Sequence, residues 1–274
     1  MGRARVWNAL RKIKPDRTPR GEILIEDGFL QQVGLSREAL LEELQADIIS
    51  LPIDYQSRAD WSYWSQRDYF TFALINGPFN TLIECLGWPR ASEWIVHNPA
   101  VSQRFMGKYL EIMYESAAAA LEDGCEGLVL GDDLAGQNGL LVDPFYLRKH
   151  YFPELGVWLE KLQAGSVPIL FHSDGNILEI IPDLHQLGFW GLHGLQPDAG
   201  MRYSSLPPEL IKNWVWWGNF QFEGPRGLKD PLQLHIEARR LFQEWEAAPG
   251  YIFGSCSGLY PGLLLELVQA AYRS

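Results

Sequence analysis

Val167-Pro168-Ile169-Leu170-Phe171-His172-Ser173-Asp174-Gly175-Asn176 is an apolar run that ends in a histidine and an aspartate. Bounded by Pro168 and Gly175, it reads as a strand buried on both faces. His172 and Asp174 are two apart, so in extended chain both point to the same side. In parallel α/β folds, sites collect at the carboxyl ends of strands, where these residues fall. A plainer reading stands beside this one: Asp174 would cap a helix opening near Asn176, and His172 would be a hydrogen-bonded strand-end residue.

The same apolar-then-polar pattern recurs on both sides of this run. Strands are expected at residues 22–26, 47–52, 69–76, 127–133, 189–195, 214–219 and 251–256. Between them lie helical patterns. Residues 4–14 place Val6, Leu10 and Ile13 on one face. Residues 35–46 begin at a Ser36 N-cap, and Asp143-Pro144 opens a helix running to about Leu162, with Asp143 as N-cap. Further helices are expected over 79–86, 101–121 and 232–246, and from about Pro261. With the opening run this makes eight strands, mostly separated by helices, which is the rhythm of a closed (β/α)8 TIM barrel. No linker or composition shift divides the chain, so residues 1–274 are expected to form one barrel domain with a short N-terminal helical extension. A doubly wound open sheet is the alternative, but no Gly-rich phosphate turn supports a dinucleotide-binding version of it.

Composition narrows the function. The 274 residues are 47% hydrophobic and 21% charged, an ordinary globular balance. The net charge of −11, without a Lys/Arg block, argues against nucleic acid or an anionic membrane as partner. The three cysteines, Cys85, Cys125 and Cys256, form no close pair and no disulfide framework. The basic N-terminus leads into no apolar core, so no secretory signal is expected and the chain is expected to be cytoplasmic.

If the barrel closes, the strand ends share one rim. Along it lie Glu26, Asp27, Asp54, Asn76, Asp132, Asp133, His172, Asp174, His193, Gln196, Asn219, Gln221 and Cys256. His172, Asp174 and Cys256 form a possible zinc set, because imidazole, carboxylate and thiolate are all normal Zn²⁺ ligands. Asp133 would add a fourth ligand or act as an acid/base, and His193 is a second catalytic candidate. A small buried Cys256 and a satisfied core His193 are the plainer alternatives. Adjacent strand residues face opposite ways, so only one of Asp132 and Asp133 need line the pocket. Asp54, Asn76, Gln196 and Asn219 are the candidate substrate contacts.

An ordered set of segments carries a family resemblance. They are Asp16-Arg17-Thr18-Pro19, Asp132-Asp133-Leu134-Ala135-Gly136-Gln137, Leu141-Val142-Asp143-Pro144, Phe171-His172-Ser173-Asp174-Gly175-Asn176, Gly194-Leu195-Gln196-Pro197 and Tyr251-Ile252-Phe253-Gly254-Ser255. In this order and spacing the chain resembles the uroporphyrinogen decarboxylase superfamily over nearly its whole length. The resemblance implies a (β/α)8 barrel and one of two chemistries: cofactor-free decarboxylation, or zinc-dependent methyl transfer linked to a corrinoid.

True decarboxylases have an Arg-rich N-terminal motif that grips substrate carboxylates; here Glu26-Asp27-Gly28 stands after the first expected strand. An acidic rim would repel a polycarboxylate, with Arg58, Arg202 and Arg226 the only basic candidates near it. The methyltransferase branch uses a His-x-Cys pair and a later Cys on zinc. His172 and Cys256 match, whereas Asp174 replaces the middle Cys. That harder set suits an oxygen or nitrogen leaving group better than a thiol. The resemblance thus implies Zn²⁺, a corrinoid carried by a partner protein, a small methyl donor or acceptor such as an aryl methyl ether, and a homodimer. The rival expectations are a metal-free decarboxylase or tetrapyrrole binder, and a non-catalytic partner of a corrinoid protein.

Overall fold

The computed structural model describes residues 1–53, 60–163, 166–222 and 230–273. Seven parallel strands form the main sheet: β1 (Ile48–Pro52), β2 (Phe70–Asn76), β3 (Gly127–Gly131), β6 (Ile169–His172), β7 (Gly191–Gly194), β8 (Val215–Phe220) and β9 (Tyr251–Ser255), in that spatial order. A two-stranded hairpin, β4 (Ala135–Gly136) and β5 (Gly139–Leu140), stands beyond β3. The apolar strand residues divide between two faces, as the continuous apolar runs require. Ile48, Phe70, Phe72, Val129, Leu170, Val215, Trp217 and Ile252 share one interior cluster. Ile49, Ala73, Leu128, Ile169, Phe171, Leu192, Trp216 and Phe253 belong to the layer packed against the helices. The architecture is a TIM-barrel-like α/β fold.

The expected first strand, residues 22–26, is not a strand. Its segment makes two isolated parallel bridges, Arg20 to Phe253 and Ile25 to Leu259. It still fills the eighth place, because it bonds both edges of the sheet. Gly21 N–H donates to the Phe253 carbonyl at 3.0 Å, and Asp47 N–H, at the start of β1, donates to the Arg20 carbonyl at 2.7 Å. The ladder breaks where Glu22 turns its side chain inward. The Ser255 N–H is received by both carboxylate oxygens of Glu22, each at 3.1 Å, in place of a backbone carbonyl.

The N-terminal helix, Gly2–Leu10, puts Val6, Ala9 and Leu10 into the interior cluster at the amino ends of the strands. It is shorter than expected: Lys12 takes a left-handed conformation (φ 58°), and Ile13 is exposed. Arg5, a buried cation, holds this plug in place through Asp47 at 2.5 Å and Asp16 at 2.7 Å. Other boundaries follow their caps. Ser36 Oγ accepts from Ala39 N–H at the start of the helix Arg37–Glu43, and Asp143 Oδ1 accepts from Phe145 N–H at the start of Pro144–Tyr146. The latter helix passes through a π turn, Leu147–Tyr151, before continuing as Phe152–Gln163. No helix among the described residues is long and apolar enough to cross a membrane.

Candidate active site

Because the sheet is parallel, β3, β6 and β7 end on the same rim, and their last residues decide what stands there. Beyond β3, Asp132 and Asp133 part company as strand alternation requires. Asp132 is fully buried. It accepts from the backbone N–H groups of Phe79 (3.0 Å) and Asn80 (2.6 Å) and from the Tyr151 hydroxyl (2.5 Å). It thereby caps the helix Pro78–Leu86, whose own N-cap, Gly77, has no side chain to offer. Burial pushes the Asp132 carboxyl up to about 7, against the pull of these donors. Asp133 instead faces the mouth, half exposed.

On β6, His172 lies in register with Gly131 of β3 and His193 of β7. Its Nε2 is 3.8 Å from Asp133 Oδ1. Asp174 completes the group: possible ligand atoms of Asp133, His172 and Asp174 all lie within 4.8 Å of one another. The loop carrying Asp174 is tied on several sides. Asp174 N–H donates to Asp133 Oδ1 at 2.9 Å, Gly175 N–H to Gln196 Oε1 at 3.1 Å, and Asn176 N–H to the Gly136 carbonyl at 2.9 Å. Gly175 has φ 78°, and a Cβ there would meet the Ala135 and Gly136 carbonyls at 2.6 Å, so the hairpin β4–β5 can pack this closely only on a glycine.

The helix-cap alternative for Asp174 is overturned. Asn176 Oδ1 receives the Leu178 N–H, whereas Asp174 Oδ1 is buried without a hydrogen-bond partner. Burial raises the Asp174 carboxyl above its ordinary range; the neighbouring His172 opposes that rise and Asp133 adds to it.

Of the expected set, His172 and Asp174 converge with Asp133, the residue expected as a fourth member, whereas Cys256 lies outside this close group. The Cys256 thiol is buried, and burial, then the charge of Asp174, holds it well above the usual thiol range. His193, expected to be either catalytic or a satisfied core histidine, is completely buried with its Nδ1 2.8 Å from Nδ1 of His172, so it stands behind His172. Asn219 is also committed internally. It sits at φ 78°, and its amide donates to the carbonyls of Leu195 (2.7 Å) and Met201 (3.1 Å), which removes it from the substrate contacts. Gln196 stays beside the group through Gly175. Asn76 is exposed, bonded to Thr81 and Glu84. Asp27 pairs with Arg37. Asp54, Arg58 and Arg226 lie outside the described residues.

Two features escaped the sequence reading. Tyr151 reaches Asp132 from the π turn, which no periodicity signals. Glu22 is buried under Ser255 and Tyr272 from an apolar stretch that reads as an ordinary strand.

The residues fit a divalent metal. Asp174 Oδ1 is an orphaned acceptor, and the His172–Asp133 separation is too long for a hydrogen bond. One imidazole nitrogen and two carboxylates form a hard N/O donor set of the kind Zn²⁺ accepts, with coordination positions left for a substrate.

Fold and rim together define an α/β barrel with a carboxylate–imidazole site at the carboxyl ends of its strands. The chain belongs to the uroporphyrinogen decarboxylase (URO-D) family, whose profile matches residues 67–274. Among solved structures it is similar to a methyltransferase from Methanosarcina mazei, with a TM-score of 0.76 and 16% sequence identity, covering 99% of this chain and 98% of that one. No curated protein matches the chain.

Proposed function

We propose that this protein is a methyltransferase that moves a methyl group between a small oxygen- or nitrogen-linked substrate and the corrinoid of a partner protein, with zinc at Asp133, His172 and Asp174. The observation that carries the proposal is the convergence of those three side chains around the unpaired Asp174 Oδ1. Family membership and the whole-length likeness to a methyltransferase support it. Zinc, when bound, would supply a Lewis acid that polarises the heteroatom bearing the methyl group.

The chain's own residues do the rest. Asp133 accepts the Asp174 N–H and so fixes the spacing of the two carboxylates. The Gln196 bond to Gly175 holds the loop against the rim. A donor set without sulfur favours a hard leaving atom over a thiol, and a methyl ether, aryl ethers included, is the substrate class that fits. The family match also admits decarboxylation of a tetrapyrrole polycarboxylate. The two rim carboxylates, Asp133 and Asp174, disfavour it, since they would repel a polycarboxylate.

The experiment supplies zinc-loaded protein with cobalt(I) cobalamin and a panel of methyl ethers and methylamines, and follows the cobalt absorbance. Methylation that disappears in His172→Ala is expected. No turnover with any donor, or equal turnover after zinc is stripped, would remove the proposal.

A further inference from the structure

We infer that His193 is a positioning residue that accepts a hydrogen bond from Nδ1–H of His172 and so turns the Nε2 lone pair of His172 toward Asp133 and Asp174. The inference rests on the proposed role of His172 as a ligand.

Parallel pairing sets His172 of β6 directly beside His193 of β7, and their Nδ1 atoms are 2.8 Å apart. Only one proton fits between two ring nitrogens, so one donates and the other accepts. The surroundings of His193 decide which. Its ring is fully buried, with the edge of Trp217 at a centroid distance of 4.8 Å. Its Nε2 is buried with no hydrogen-bond partner, and the acceptor that acts on the ring as a whole is the backbone carbonyl of Ser255.

If His193 donated through Nδ1, its buried Nε2 would be a bare lone pair with no proton to offer the acceptor that acts on the ring. If His193 accepts, its own proton sits on Nε2, toward the carbonyl oxygen. The second arrangement is favoured. It places the His172 proton on Nδ1 and leaves Nε2 unprotonated. The 3.8 Å from Nε2 to Asp133 Oδ1 agrees, since an Nε2–H would be expected to close to hydrogen-bond distance on a carboxylate. Histidines that bind metals are commonly fixed in this way by an acceptor behind the ring.

Two readouts test this. Ring-nitrogen NMR on metal-free wild-type protein at about pH 8, above the ordinary histidine range, should show His172 protonated on Nδ1 and His193 on Nε2. The reverse pattern would overturn the inference. A competition titration with zinc should then show a loss of about 10–100-fold in affinity for His193→Phe. His193→Asn, whose Oδ1 can accept in place of Nδ1, should recover most of that loss. A folded His193→Phe protein that binds zinc within about threefold of wild type would contradict the expected outer-shell effect. Should His193→Phe fail to fold, the ring pattern and the His193→Asn affinity decide. A wild-type protein that binds no zinc would defeat the proposed function, whereas the ring pattern would still decide which histidine donates.

Discussion

The backbone N–H of Asp174 donates to Oδ1 of Asp133 at 2.9 Å, so one carboxylate of the rim group sets the position of the other. The bond spans two strand ends, β3 and β6, whose register is fixed by Leu128–Ile169 through Gly131–His172. Asp133 therefore has two jobs, as a charge and as an anchor, and they separate by mutation. Asp133→Asn keeps an acceptor for the Asp174 amide but removes the charge; Asp133→Ala removes both. Zinc affinity is expected to fall in Asp133→Asn by more than the ~100-fold that outer-shell changes reach, with thermal stability of the metal-free protein unchanged. Asp133→Ala should lose affinity at least as far and lower the melting temperature as well. Equal zinc affinity in Asp133→Asn and wild type would exclude Asp133 as a ligand.

Cys256 gives the opposite expectation. Its thiol is buried and raised, and it lies outside the close group. Cys256→Ser should keep zinc affinity within about tenfold of wild type, a smaller effect than many outer-shell losses. A protein that loses its zinc on this substitution would restore Cys256 to the ligand set implied by the family resemblance.

Gly77 and Asp132 form a steric and electrostatic unit. A Cβ on Gly77 would sit 2.2 Å from Asp132 Cγ, so Gly77→Ala must displace the carboxylate from the helix end it caps. Overpacking of this kind costs about 1–3 kcal/mol. Asp132→Ala leaves the Phe79 and Asn80 amides and the Tyr151 hydroxyl without their acceptor, at about 1–3 kcal/mol per buried orphan. Denaturant unfolding measures both, and midpoints equal to wild type would show that the cap is dispensable.

Glu22 makes stability depend on pH. Burial pushes its carboxyl from 4.5 up to about 7, with hydrogen bonds from Ser255 and Tyr272 pulling the other way. Below the unfolded value both states hold the proton. Between that value and about 7 the unfolded chain ionises while the folded protein keeps its proton, so stability from this group falls as pH rises. The slope reaches at most about 1.4 kcal/mol per pH unit and levels off above the folded value. Glu22→Gln should flatten this part of the stability profile. A slope that persists unchanged in Glu22→Gln would assign it to another group.

Most of the barrel was legible in the sequence because its strands are buried on both faces and therefore read as continuous apolar runs. The seven strands of the sheet fall within such runs. The 22–26 segment misled because its pattern is apolar, while the decisive event is a side chain, Glu22, taking the place of a backbone acceptor. At the rim, His172 and Asp174 could be paired from spacing two apart. The parting of Asp132 from Asp133 also followed from alternation. The nearness of His193 to His172, and the exclusion of Cys256, depend on strand register and loop path, which local sequence does not encode. Asn219 looked available because it ends a strand, but its left-handed backbone turns the amide to the Leu195 and Met201 carbonyls.

Whether the carboxylate–imidazole group binds a metal is read from zinc stoichiometry after equilibrium dialysis. Wild-type protein should retain about one zinc per chain, and His172→Ala should retain none under the same conditions. Wild-type protein that emerges without zinc, or His172→Ala protein that holds as much as wild type, would show that this group is no metal site.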